Sequence, residues 1–326
     1  MQRAFGRVLV VLLAVLLPAA AIEQTYRVYV FGWAAWSYER LNSVHDLWES
    51  GLIRNSDNRE IAFELVPGLD TYFKIATFRT NAQGLRDVEY PRQRPPDAAR
   101  VAVVGSSFTM PAGVSLEGSW HYQLEQRLDA MEPGKAHQAI NFAVGGYSAR
   151  QEIAVLKSKV FAYQPQLVLL EFTTHTPNLI YPDEFYAKPY VAGPVTHPFW
   201  TSFVAQRIRS RVSAIAPDPS PYPQDKLDYM DSIMREAVAA ATAHRVPLCF
   251  VILNMNQANA GNAEALERAA QRHSRCVVNT TRAFAGRNLA DLVIYPIDQH
   301  PNARAHAIFA EVIAPYAARE LAATPQ

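Results

Sequence analysis

Residues 100–109 read RVAVVGSSFT. Val101–Val104 is a short, continuous apolar run, the pattern of a strand buried on both faces of a parallel sheet rather than the alternation of a half-exposed one. Gly105-Ser106-Ser107-Phe108-Thr109 then falls at the strand end. In an open parallel sheet, ligands bind outside the carboxyl ends of the strands. Ser107 is therefore a candidate nucleophile, with backbone N–H groups nearby to receive an oxyanion. A serine in this place is also a common helix cap, so the block needs partners elsewhere in the chain.

Working outward, Gly118–Met131 has helical spacing, with Trp120, Leu124 and Leu128 on one face. Ala139–Ala143 is the next strand candidate, followed by a helix around Ser148–Val160 and a third strand at Leu167–Phe172. Pro177–Pro223 reads as a long proline-rich excursion with short helices near Phe199–Ser213. A helix at Asp225–His244, a strand at Leu248–Leu253, a helix near Ala263–Arg272, a strand at Cys276–Val278 and a last helix at about Arg304–Leu321 complete the series. Strands alternating with helices imply a parallel sheet covered on both faces, an α/β fold. Before this region, Phe63–Pro67 and Phe78–Arg86 read as short strands, the second entering a turn at Gly84, and Pro91, Pro95 and Pro96 make a stiff linker.

The chain has 326 residues, enough for a sizeable core, and is 49% hydrophobic and 19% charged with a formal net charge of +1. No long Lys/Arg run is present, which argues against nucleic acid as the main partner. At the N-terminus, Arg3 and Arg7 precede an apolar run from Val8 to Ile22 interrupted by Pro18. A basic start before such a run is an export signal or signal anchor. Ala19–Ala21 would suit cleavage; the aromatic stretch Tyr26–Trp36 suits a membrane interface and favours an uncleaved anchor. Either way the rest of the chain is exported, and the expected location is the periplasmic side of the inner membrane, or the outside after cleavage. Cys249 and Cys276 lack metal-ligand spacing and read as buried free thiols, with a single extracytoplasmic disulfide as the alternative.

Three further strand ends carry polar or glycine-rich segments. Asp298-Gln299-His300-Pro301-Asn302 lies just before the last helix. In extended backbone, residues two apart point the same way, so Asp298 can hold one imidazole nitrogen of His300 while the other faces a nucleophile. Asn141–Tyr147 (NFAVGGY) brings two glycines that allow close backbone approach to a ligand, and Thr173–Asn178 (TTHTPN) is a cluster of possible donors. Tyr147 and Trp120 are read as core, and His121, His244, His273 and His306 as surface or satisfied core positions. No metal site and no cofactor are expected.

The order of these segments resembles the SGNH hydrolases, also called GDSL-like esterases, over roughly residues 78–320. That family has a Gly-Asp-Ser nucleophile block, a glycine block, an asparagine block and a C-terminal Asp/His block. GSSFT puts Ser107 at the nucleophile position, with Ser106 in place of the usual aspartate; a hydroxyl substitutes for the carboxylate there. PAGVSLEGSWHYQLEQRL (111–128) and FRTNAQGLR (78–86) look like segments flanking this block in membrane-anchored bacterial members. NFAVGGY puts Gly146 at an oxyanion-donating glycine. LVLLEFTTHT (167–176) puts His175 where the oxyanion asparagine normally stands, with Asn178 a few residues late as a substitute. IDQHPN (297–302), followed by a helix with Ala307, Phe309 and Ala310, matches the last block.

The resemblance implies a three-layer α/β/α sandwich, flavodoxin-like, with a mainly parallel five-stranded sheet. It implies a domain at 99–322, preceded by an anchor or signal at 1–24 and an extension and linker at 25–98. The implied activity is a serine ester hydrolase or O-acyltransferase acting on small acyl esters, acetyl among them, of cell-envelope glycans. Ser107, His300 and Asp298 would form the triad, and Ser107, Gly146 and His175 the oxyanion hole. The alternative is a catalytically impaired relative that binds glycan or a partner in polysaccharide assembly. An accidental match would leave Ser107 and His300 far apart.

Overall fold

The computed structural model describes residues 2–187, 202–212 and 221–324. Helix α1 (Gln2–Phe31) is followed by a short helix α2 (Tyr38–Asn42) and by two small antiparallel pairs, β1 (Ile53–Asn55) with β2 (Phe63–Leu65) and β3 (Asp70–Phe73) with β4 (Ala76–Arg79). The central elements follow: β5 (Ala98–Val104), α3 (Trp120–Met131), β6 (Ala136–Asn141), α4 (Ala149–Ser158), β7 (Leu167–Thr173), α5 (Asp183–Ala187), α6 (Phe203–Val212), α7 (Gln224–Ala243), β8 (Leu248–Leu253), α8 (Ala260–Gln271) and β9 (Val277–Asn279). A small hairpin, β10 (Val293–Tyr295) with β11 (Asp298–Pro301), leads into α9 (Ala303–Ala323).

Five strands form one parallel sheet in the order β6-β5-β7-β8-β9. Successive side chains alternate between its faces, and both faces are covered. Val101, Val103, Leu167, Leu169 and Val251 pack with Trp120, Leu124 and Leu128 of α3 and with Phe309 and Ile313 of α9. Val104, Leu170, Phe172, Phe250 and Ile252 pack on the other side with α4, α7 and α8. This double burial is why the strands read as unbroken apolar runs. The three-layer α/β fold expected from the sequence is present.

The N-terminal extension shares a core with the sheet: Ile61, Phe63, Leu65, Phe73 and Phe78 join the cluster that holds Val104 and Phe172. Several boundaries differ from the sequence reading. Strand β4 ends at Arg79, because Asn81 turns the chain, its Oδ1 accepting the N–H groups of Gln83 and Leu85. Of the proline-rich excursion, residues 188–201 and 213–220 lie outside the described residues, and the helix expected near Phe199–Ser213 is represented by α6.

One sequence expectation is extended and one corrected. The helix that carries the apolar run Val8–Ile22, α1, continues past Glu23 to Phe31 and is long and apolar enough to cross a membrane. Its far end packs on the body, where Val30 and Phe31 meet Phe203 and Tyr295. Cys249 and Cys276 are not free thiols but a disulfide. Phe250 pairs with Val277 in the β8–β9 register, so the two cysteines are neighbours just before it, with Cα atoms 4.6 Å apart.

Candidate active site

Ser107 lies just past the end of β5 at Val104, after Gly105 and Ser106, but no long helix begins there. The chain makes a single tight turn, with the N–H groups of Thr109 and Met110 donating to the Ser106 carbonyl at 3.2 and 2.8 Å, and α3 starts only at Trp120. The turn is fastened from three sides. Glu171, inside β7, accepts the Ser106 N–H at 2.8 Å and the Thr109 hydroxyl at 3.0 Å. Asn141, at the end of β6, donates to the Thr109 carbonyl at 3.0 Å. The buried Arg86 guanidinium donates to the carbonyls of Met110, Pro111 and Val114. Gly105 must be a glycine, because a Cβ there would overlap the Glu171 carboxylate.

Burial pushes the Glu171 carboxyl up to about 7, against the lowering pull of the Ser106 N–H and the Thr109 hydroxyl. Burial likewise takes the Arg86 guanidinium down to about 9. Both groups sit in low dielectric, where hydrogen bonds to the turn are strong and costly to lose.

Asp298 and His300 stand on β11, two residues apart and on the same side of the strand. His300 Nδ1 lies 2.5 Å from Asp298 Oδ1, and the same oxygen accepts the His300 N–H at 3.0 Å. The other carboxylate oxygen, Oδ2, takes the ammonium of Lys74 from the β3–β4 turn. Burial raises the Asp298 carboxyl, but the hydrogen bond and charge of His300, and then Lys74, outweigh it and hold the group well below the usual carboxylate range. Asn302 fixes the hairpin to α9: its Nδ2 donates to the carbonyls of Asp291 and Val293, while its Oδ1 caps the helix through the N–H groups of Arg304 and Ala305. Phe108 packs against the His300 ring with centroids 6.0 Å apart.

These groups meet in one cleft of about 630 Å³, in which Ser107, Gly146, His175, Asp298 and His300 all line the wall. Ser107 and His300 thus line the same cleft at the carboxyl edge of the sheet. Gly146 has φ +80°, and a Cβ on it would press on Trp48 at 3.1 Å. The neighbouring Gly145 N–H is taken by Met110 Sδ at 3.1 Å. His175 is exposed on the cleft side of the turn after β7, its carbonyl accepting the Asn178 N–H at 2.9 Å. Tyr147 and Trp120 are buried, as expected; the Tyr147 hydroxyl donates to the Phe63 carbonyl and the Trp120 indole to Thr109. His306 is buried, and burial lowers its pKa to about 3, so it stays neutral. Among the described residues no group of three or more His, Cys, Asp and Glu side chains is placed to hold a metal ion.

Lys74, Glu171, Arg86 and Asn302 were not singled out from the sequence. Glu171 did leave a signal, a lone carboxylate inside the apolar run LVLLEF. Lys74 left none, since 224 residues separate it from Asp298.

Fold and site together define an α/β protein with a serine, a histidine–aspartate pair and a glycine turn on one cleft. The sequence matches no family model and no curated protein. Among solved structures, it is similar to a two-domain esterase (CEX) active on acetylated mannans, co-crystallized with mannopentaose, at 17% identity and a TM-score of 0.46 over 70% of this chain. The match spans about half of that protein, 51% of its length. It is also similar to TesA, at 15% identity and a TM-score of 0.43 over 67% of this chain and 97% of that one. A catalytic mutant of Axe2, an acetylxylan esterase from Geobacillus stearothermophilus, shares 16% identity with a TM-score of 0.43 over 68% of this chain and 94% of that one.

Proposed function

We propose that this chain is a membrane-anchored, extracytoplasmic serine ester hydrolase or O-acyltransferase of the SGNH type. The observation that carries the reading is the convergence of Ser107 with the hydrogen-bonded His300–Asp298 pair in one cleft at the carboxyl edge of the sheet. Ser107 Oγ attacks the ester carbonyl as His300 takes its proton. Asp298 orients the imidazole and stabilises the imidazolium. The tetrahedral oxyanion is received by the Ser107 and Gly146 N–H groups with His175 as third donor. Collapse expels the alcohol, which takes the proton back from His300 and leaves an acyl-serine. Water, or a sugar hydroxyl, then attacks the acyl-serine by the same steps in reverse and releases acid or a new ester.

The substrate we favour is a small acyl ester, such as acetyl, on a cell-envelope glycan. The cleft wall includes Trp48, beside Gly146 after β6, and Asn254, Asn256 and Asn259 after β8, an aromatic surface and amide groups suited to a sugar's faces and hydroxyls. The anchor is assigned to the part of α1 before Glu23, where roughly 20 residues at a rise of about 1.5 Å per residue match the roughly 30 Å of a bilayer core. Arg3 and Arg7 at its start favour the cytoplasmic side, which leaves the body outside. Residues 99–322 would then be the catalytic domain and 25–98 an extension packed on it.

The detergent-solubilised full chain and its Ser107→Ala variant, incubated with an activated acetyl ester and then with acetylated oligosaccharides, test this. Ser107-dependent release of acetate, or its transfer to an added sugar, is expected. A folded parent inactive on both, with glycan binding intact, would favour the catalytically impaired binding protein instead.

A further inference from the structure

Lys74 belongs to the N-terminal extension, yet its ammonium meets Asp298 Oδ2 beside the cleft. The pair is shielded, with side chains 10% and 13% exposed, so salt screens it far less than a surface pair. The turn that carries Lys74 is a two-residue hairpin turn with Lys74 at φ 48° and Ile75 at φ 63°. Both lie in the left-handed region, uncommon for lysine and more so for a β-branched residue. The turn is held there from outside. Ser43 accepts the Lys74 N–H on its carbonyl at 2.8 Å and the Ile75 N–H on its hydroxyl at 2.9 Å, and Ile75 packs on the cluster formed by Val30, Phe31 and Tyr295. An incidental surface ion pair needs no such support; strain of this kind is kept where the surroundings over-determine a useful position.

We propose that Lys74 is a positioning residue for the Ser107–His300–Asp298 site: its ammonium fixes the Asp298 carboxylate with one oxygen committed to His300, so that the N-terminal extension completes the reacting machinery. This rests on the triad reading given above. With Oδ2 held by Lys74, Oδ1 is left for the imidazole and the carboxylate cannot rotate away. The other ionisable groups facing this pair come from several elements. Tyr295 on β10 is held neutral by burial, His306 on α9 is neutral for the same reason, and Asp46 and His175 line the cleft wall. Among the described residues, the ion pairs of Asp298 are those with His300 and Lys74.

The test compares the detergent-solubilised full chain with Lys74→Met, Lys74→Gln and Lys74→Arg, each first shown to be folded by its melting transition. Two readings are taken: fluorophosphonate labelling at Ser107, and kcat and KM separately on an activated acetyl ester. The neutral variants are expected to lose roughly tenfold to a hundredfold in kcat with KM little changed. Lys74→Arg, which keeps the cation on Asp298, recovers most of the rate. If the parent is labelled at Ser107 but the neutral variants keep the parent's kcat, or Lys74→Arg is no better than Lys74→Met, the role of Lys74 is overturned while the triad stands. If the folded parent is not labelled at Ser107, the triad reading fails and this one fails with it.

Discussion

Glu171 reaches from β7 to the end of β5, where its Oε2 accepts the Ser106 N–H at 2.8 Å. A carboxylate from the neighbouring strand thereby organises the turn that presents Ser107, although position 106 itself offers only a hydroxyl. The arrangement costs burial of an acid, and the buried acid makes the stability of the fold depend on pH.

A carboxyl whose folded pKa is raised, here to about 7, binds more protons in the native state than in the unfolded one. Its stability contribution is complete below the unfolded value and is lost as pH rises through the folded one. Glu171→Gln does not titrate, so the stability difference, variant minus parent, should grow between pH 5 and pH 8 by up to about 3 kcal/mol. Melting of both proteins at the two pH values checks this, and a difference independent of pH would contradict it.

In the proposed mechanism His175, which lines the cleft, is the third donor of the oxyanion hole. Removing one such donor typically costs about 10²–10³ in kcat, so His175→Ala should fall in that range with KM little changed, while His175→Asn retains most of the rate. Steady-state kinetics on an activated acetyl ester decide it. An alanine variant within a few fold of the parent would take His175 out of the hole.

The disulfide joins β8 to the edge strand β9 across a separation of 27 residues. Closing a loop of that size restricts the unfolded chain by about 3.6 kcal/mol, and Cys249→Ala with Cys276→Ala should lose roughly 2–4 kcal/mol in denaturant unfolding. Equal stability of the double variant would show that strand pairing alone secures this edge.

How much of this was legible in the sequence depended on the range of the interaction. Val101–Val104 and Leu248–Leu253 announce themselves because strands buried on both faces need apolar residues throughout. Trp120, Leu124 and Leu128 do so because one helix face meets the sheet. Asp298 and His300 are two residues apart, so their pairing is local and readable. The bond between Cys249 and Cys276 depends on the β8–β9 register, and the partners of Asp298 Oδ2 and of the Ser106 N–H depend on tertiary packing that no local pattern encodes. The extent of α1 was obscured after Ile22, where Glu23, Gln24, Thr25 and Arg27 break the apolar run while the helix continues to Phe31 and packs its end on the body.

Labelling of the folded full chain with a fluorophosphonate, followed by peptide mass spectrometry, tests the central claim most directly. A single phosphonyl adduct on Ser107, absent from Ser107→Ala and strongly slowed in His300→Ala, is the predicted result. No adduct on the folded parent, an adduct at another residue, or equal labelling of Ser107→Ala would contradict the account.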